Sequence, residues 1–229
     1  MLKLDRPPTL VEAVTETLRK EILKGNFLPG AALQEVELSK TLNISRGTVR
    51  EALRLLNQEG IVEIIPYRGA FVTELPAQRV KEIYTLRVLL EPYAVRLSME
   101  NHVFTEEYLE EMRLLVARMG ELEKAGDYNA TIEADIKFHE MSCQRCGHEL
   151  ILETLHNLQS LTLMFILATK LYRSDMVSDE VSHQAIFDGI ASGDPDLAEE
   201  IVRKHINDAG TSLVRRMEEL GKIDHDHSE

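Results

Sequence analysis

The sequence predicts a mainly α-helical protein, with a winged helix-turn-helix at the N-terminus and an all-α bundle of six or seven helices after it. Three helical segments and one β-hairpin fill residues 1–76, and residues 77–223 show only helical periodicity. The two parts also differ in net charge. Residues 1–76 hold 10 Lys and Arg and 10 Asp and Glu, whereas residues 77–229 hold 16 Lys and Arg and 29 Asp and Glu. An electroneutral module can bind phosphates with locally placed arginines, while an acidic body is repelled by a nucleic-acid duplex. We therefore expect two domains, 1–76 and 77–223, joined by a linker at about residues 74–76.

Two helices are predicted in the first fifty residues. The first runs from Thr9 to about Lys24, because apolar residues recur every four positions and Gly25 follows as a stop signal. The second is short, Glu35–Leu42, and Asn43 suits the left-handed residue that ends it.

The third predicted helix carries the pattern around which the N-terminal part is organised. Ser45 suits its N-cap and Gly60 its end. A short helix, a tight turn and a longer helix are typical of a helix-turn-helix. Taken alone, the segment is equally an amphipathic surface helix or a helix that lies in a DNA major groove. Its apolar stripe is Val49, Ala52, Leu53 and Leu56, and its arginines on a neighbouring face are Arg46, Arg50 and Arg54.

A β-hairpin is predicted directly after this helix. Residues 61–65 and 70–73 are β-rich, and the segment between them is a hairpin tip that presents Arg68 and Gly69. Three helices followed by one hairpin form a winged helix-turn-helix, so the combination favours a recognition helix over a plain surface helix.

The second part predicts helices that are separated by Gly, Pro and Asn breaks. Pro92 lies inside the first of them and removes one helix hydrogen bond, so we expect a kink or a split there. The tail at residues 224–229 is polar and is expected to be disordered. The predicted segments are 77–100, 105–125, 127–146, 148–171, 178–193 and 195–221.

Composition narrows the class of protein. The absence of a run of about 18 apolar residues predicts that the chain does not span a membrane. No basic-then-apolar signal segment opens the chain, so we expect a cytoplasmic protein. Cys143 and Cys146 are too few and too close for a disulfide framework, and this single CxxC favours packing at a helix end.

Four potential metal ligands share helical stripes with apolar residues in the second part: Asp135, His139, His183 and His205. Buried carboxylates are costly unless they are paired or bind a metal. Each histidine taken singly is more often a hydrogen-bonded core imidazole, and Asp135 with His139 forms a possible i,i+4 pair.

Arg87 lies on another apolar stripe, where it either pairs with Glu91 or holds an anionic ligand.

The segment from Ser45 to Leu53 and the glycine-tipped wing resemble the GntR superfamily of bacterial transcription factors, and the second part resembles the FCD-type ligand-binding domain of its FadR-like branch. The resemblance extends from about Thr9 to Leu220. It implies a homodimer that regulates transcription from a pseudo-palindromic double-stranded DNA operator and is not an enzyme. The implied DNA-binding residues are Ser45, Arg46, Thr48, Arg50, Arg68 and Gly69.

The resemblance also implies a divalent metal, held by Asp135, His139, His183 and His205. Three imidazoles and one carboxylate suit zinc, nickel or manganese better than calcium or magnesium. Arg87 matches a position that holds an effector's carboxylate, so a small organic or sugar acid is the expected effector.

Two interpretations compete with regulation. A metal-dependent hydrolase or lyase would use the same three histidines and one aspartate, but it gives no reason for the winged module, and no further residue stands out as a general base. A helical dimer that only scaffolds partners is the third interpretation.

Overall fold

The structure, a computed structural model, describes residues 9–169 and 179–226. It confirms the predicted fold class, a winged helix-turn-helix followed by helices alone. No helix in the described part of the chain is both long and apolar enough to cross a membrane.

The winged helix-turn-helix has the predicted elements in the predicted order. Thr9 caps the first helix in a capping box with Glu12, and Asn43 ends the second with a φ of 52°. Arg19 joins the first helix to the end of the third through a bidentate pair with Glu59, at 3.0 and 2.7 Å. The elements are α1 Leu10–Leu23, α2 Glu35–Thr41, α3 Arg46–Gln58, β1 Val62–Ile65 and β2 Gly69–Val72.

The wing is an antiparallel hairpin with Val62 opposite Val72. A side-chain hydrogen bond fastens it to α3, because Oδ1 of Asn57 accepts the backbone N–H of Ile64 at 3.0 Å. A further short bridge, Ala32 to Phe71, extends the hairpin on its other edge. The apolar stripe of α3 lies beneath these elements, in a core that includes Leu18, Ile22, Leu33, Val49, Leu53, Leu56 and Ile61.

The second part contains six helices within the described residues. The most extensive packing is between its first and last helices, α4 and α9, while α5 packs against both α6 and α8. Gly210 of α9 permits the close approach to α4, because a Cβ at this position would lie 2.5 Å from Cγ of Tyr84. The helices are α4 Ala77–Glu100, α5 Glu106–Ala125, α6 Tyr128–Cys143, α7 Glu149–Thr169, α8 Asp179–Ala191 and α9 Pro195–Asp226.

Pro92 does not split α4, which is one helix of 24 residues. Proline lacks the N–H that would donate to the carbonyl of Val88, four residues earlier. Nη1 of Arg203, on α9, donates to that carbonyl at 2.9 Å instead. Of the two expected alternatives, a kink or a split, the split is therefore wrong, because a neighbouring helix supplies the missing donor.

The contacts divide the chain into two compact units. The first ends at Leu75 and takes in Ser160–Thr169, whereas the sequence assigned that segment to the second domain. The helix α9 continues to Asp226, into the tail that was expected to be disordered. Residues 170–178 and 227–229, where two predicted helix ends and the rest of the tail fall, lie outside the described residues.

Candidate metal centre and nucleic-acid interface

The start of α3 carries the predicted DNA-contacting side chains. Ser45 is the N-cap, and its hydroxyl accepts the backbone N–H of Thr48 at 3.1 Å. The side chains of Arg46 and Arg50 are 60% and 49% exposed. A helix that is packed on one side and exposes arginines beside its N-terminus has the shape and charge of a major-groove reader.

A carboxylate on α2, Glu35, holds both of these arginines. Nε and Nη2 of Arg50 donate to its two oxygens at 2.9 and 2.8 Å, and Nη2 of Arg46 lies 3.7 Å from Oε2. The pKa of Glu35 is lowered, chiefly by the hydrogen bonds from Arg50, although burial acts in the opposite direction and raises it. Sequence reasoning missed Glu35, because 15 residues and a turn separate it from Arg50. Arg54, the third arginine of this face, pairs with Glu51 at 2.8 Å.

The tip of the wing is exposed at both predicted residues, Arg68 and Gly69. Gly69 has a φ of 111°, and a Cβ built on it would meet nothing within 4 Å. The backbone conformation therefore favours glycine at this position, and the absence of a side chain keeps the wing tip narrow. The guanidinium of Arg68 lies 5.6 Å from the ring centroid of Phe71.

The four predicted ligands converge inside the helical unit from α6, α8 and α9. Nε2 of His183 lies 3.0 Å from Oδ1 of Asp135 and 3.3 Å from Nε2 of His139. The ring centroid of His205 lies 5.2 Å from that of His139 and 4.7 Å from that of His183. One nitrogen from each histidine falls within 4.8 Å of the others.

This donor set fits a small divalent cation. Nitrogen and oxygen atoms bound to one zinc ion at about 2.0–2.2 Å lie about 3.0–3.5 Å apart. The 3.0 Å between His183 and Asp135 and the 3.3 Å between His183 and His139 fall in that range, whereas the 3.9 Å between His139 and Asp135 is longer.

The protonation states favour the same chemistry. Burial lowers the pKa of His205 well below the usual value, and nearby His183 and His139 lower it further. Burial would raise the pKa of Asp135, but the hydrogen bond and charge of His183 together with the other histidines lower it. Metals bind neutral imidazoles and ionised carboxylates.

Arg87 reaches this cluster through Glu91, and both side chains are buried. Nε of Arg87 donates to Oε1 of Glu91 at 2.5 Å, while Oε2 of Glu91 lies 3.1 Å from Nδ1 of His139. Burial would raise the pKa of Glu91, but the charges of Arg87 and His139 lower it to about 2. The sequence anticipated the Arg87–Glu91 pair but missed the contact of Glu91 with His139. Arg87 also lies over the ring of Tyr84, 4.8 Å from its centroid.

The two cysteines are free and buried, as expected for packing residues at a helix end. Sγ of Cys143 lies 3.9 Å from the backbone oxygen of Glu91, and burial raises the pKa of its thiol. A buried thiol with a raised pKa is a poor nucleophile and a poor redox group.

Both halves of the chain match known protein families. Residues 10–72 match the family described as bacterial regulatory proteins, gntR family, and residues 82–208 match the FCD domain. The chain belongs to the GntR family of bacterial regulatory proteins. This GntR-family protein is a transcriptional regulator and not an enzyme, which decides against the alternative of a hydrolase or lyase.

Individual relatives resemble this GntR-family chain over nearly its whole length. It is 30% identical to the uncharacterized HTH-type transcriptional regulator YdhC of Bacillus subtilis (strain 168), over 95% of the chain and 96% of the relative. It is 27% identical to the galactonate operon transcriptional repressor of Escherichia coli (strain K12), over 91% and 97%. The solved structure of E. coli McbR/YncC shares the fold, with a TM-score of 0.78 at 20% identity over 92% of this chain and 99% of that one.

Proposed function

We propose that the chain is a transcriptional repressor whose DNA binding is controlled by a small organic or sugar acid, bound at a divalent metal in the helical domain. One observation carries this proposal: three histidines and one aspartate converge within a chain that also has an exposed, arginine-bearing recognition helix. Resemblance to the galactonate operon repressor supports a sugar acid as the effector class. A DNA-binding protein of this kind works in the cytoplasm.

The proposed DNA contacts are divided between helix and wing. Arg46 and Arg50 would reach base edges in the major groove, where a guanidinium matches the two acceptors of guanine. Arg68 would contact phosphate, and the slim backbone at Gly69 would enter the minor groove. Ser45 and Thr48, at the N-terminus of α3, would contact the phosphates beside these bases.

The proposed metal ligands are Asp135, His139, His183 and His205. Zinc, nickel or manganese suits this mixture of imidazole and carboxylate, and such an ion supplies a positive charge that binds an effector's carboxylate. Arg87 would contribute a second cationic group for the same anion, because only one of its five donors is given to Glu91 in the 2.5 Å bond.

The proposed repressor acts as a homodimer. Two recognition helices about 34 Å apart would match a pseudo-palindromic operator whose half-sites lie one helical turn apart. Effector binding would shift the population between dimer geometries that fit and misfit this spacing.

A binding assay on the DNA upstream of the protein's own gene tests the DNA proposal. Arg50→Ala is expected to weaken binding to the footprinted operator by about 10- to 100-fold, because a bidentate guanine contact is lost. Arg113→Ala is the matched control, since Arg113 is 50% exposed and pairs with Glu110 on a helix of the other unit. Equal operator binding by the Arg50→Ala variant and the parent would contradict the proposal.

Elemental analysis of protein without a histidine tag tests the metal proposal. We expect about one metal ion per chain in the parent and in His156→Ala, whose exposed imidazole lies outside the cluster. His183→Ala is expected to lose most of that metal, because it removes a central ligand. The same metal content in His183→Ala and His156→Ala would remove this site from the proposal.

A further inference from the structure

Glu91 lies between Arg87 and His139, two residues that the sequence analysis assigned to separate roles. It lies on α4, one helical turn after Arg87, and its side chain is 1% exposed. One carboxylate oxygen accepts from Arg87 at 2.5 Å, and the other lies 3.1 Å from Nδ1 of His139. A carboxylate so fully buried is retained only where its partners offset the loss of hydration.

The contact with His139 identifies which ring nitrogen faces which partner. Nδ1 faces Glu91, whereas Nε2 lies 3.3 Å from Nε2 of His183 and 3.9 Å from Oδ1 of Asp135. An imidazole that binds a metal through Nε2 carries its proton on Nδ1. Oε2 of Glu91 is buried and makes no other hydrogen bond among the described residues, so it is available to this proton. A carboxylate that accepts a proton from Nδ1 fixes the tautomer and ring orientation and makes the ligand more basic.

We propose that Glu91 is the positioning residue of the metal centre, holding His139 with Nδ1 protonated and Nε2 directed at the other ligands. This inference rests on the proposed metal function. Arg87 holds the carboxylate in place from one helical turn away, so the two buried groups of opposite charge are paired within α4. Glu91 contributes to metal affinity without touching the metal.

The test measures zinc affinity by competition with a chromophoric chelator. Glu91→Gln is expected to lower zinc affinity about 10- to 100-fold, the usual effect of removing a carboxylate behind a histidine ligand. Arg87→Met/Glu91→Gln replaces the ion pair with a neutral pair, so it avoids an unpaired buried guanidinium and keeps the test valid if the single variant unfolds. The double variant is expected to show the same loss.

A second background separates positioning from general damage to the fold. In His139→Ala, Glu91 has no imidazole to orient, so adding Glu91→Gln is expected to cause less than a twofold further loss of zinc affinity. Parent-like zinc binding by Arg87→Met/Glu91→Gln, or an equal loss in the parent and His139→Ala backgrounds, would overturn the inference. If instead the parent and His183→Ala bind zinc equally, the proposed metal centre itself fails.

Discussion

The guanidinium of Arg50 is already held before any DNA arrives. Glu35 accepts from both Nε and Nη2, which fixes the plane of the group, and its position on α2 ties that plane to the helix-turn-helix core. Restricting a long side chain in advance reduces the entropy that base recognition costs. The same carboxylate cancels positive charge at the DNA-facing surface, so it limits attraction to any phosphate backbone.

Glu35→Gln is therefore expected to change selectivity rather than fold. The variant gains one unit of positive charge and loses the two-point hold on Arg50, so binding to an unrelated duplex should rise a few-fold while operator binding falls. The ratio of the two Kd values, measured at one salt concentration, is the readout. Glu37→Gln, an exposed position on the same helix, adds the same charge without this contact and should preserve the ratio. Identical ratios for both variants would rule out a selective role for Glu35.

Among single residues, the sequence predicted the candidate site side chains that converge in the structure, but not the groups that contact them from other helices. The stripe containing Asp135 and His139 follows from helical spacing, and the i,i+4 relation between Arg87 and Glu91 follows in the same way. The contact of Glu91 with His139 joins two helices, and local periodicity carries no information about which helices are neighbours. Glu35 and Glu91 were missed as partners because they meet these side chains through tertiary contacts.

The element that departs most from expectation is α4. A proline inside a helix usually kinks or ends it, because a carbonyl loses its donor. In this chain the carbonyl of Val88 accepts from Arg203, 115 residues later, and α4 continues. Helix positions were predictable from apolar periodicity and caps, but this compensation depends on α9 lying alongside α4.

The compensation can be measured with a double-mutant cycle. Arg203→Met is expected to destabilise the protein by about 1 kcal/mol, since the carbonyl of Val88 loses its donor. In a Pro92→Ala background the new backbone N–H can donate to Val88, so the same substitution should cost less. Urea unfolding of the four proteins gives the coupling. The Arg203–Glu199 pair is lost in both backgrounds and therefore cancels. Equal costs in both backgrounds would show that Arg203 does not substitute for the missing N–H.

Over the whole molecule, the change in net charge falls at the predicted domain boundary. The net charge of −13 arises entirely beyond residue 76, and the described basic side chains proposed to contact DNA lie before it. Order, type and approximate bounds of the elements were predictable because each leaves a local pattern. The grouping of Ser160–Thr169 with the first unit was not, because no local pattern marks where a continuous helix changes partners.

Removing the metal is expected to lower the thermal stability of the protein. An ion that binds only the folded state stabilises it by about 2.7 kcal/mol when present at 100 times its Kd, which corresponds to about 5–10 °C in Tm. Scanning calorimetry with and without a chelator measures this shift. His183→Ala should melt at the same temperature in both conditions. A parent protein that is indifferent to the chelator would argue against a bound metal.

The hydrogen bond between Asn57 and Ile64 joins the last turn of the recognition helix to the first strand of the wing. The two parts that are proposed to contact DNA are therefore held at a separation that is set by the protein and not by the duplex. Operator recognition is therefore expected to depend on the spacing between the two contacts as well as on the bases. A half-site with the correct bases but one extra base pair between its major-groove and minor-groove contacts cannot satisfy both parts at once.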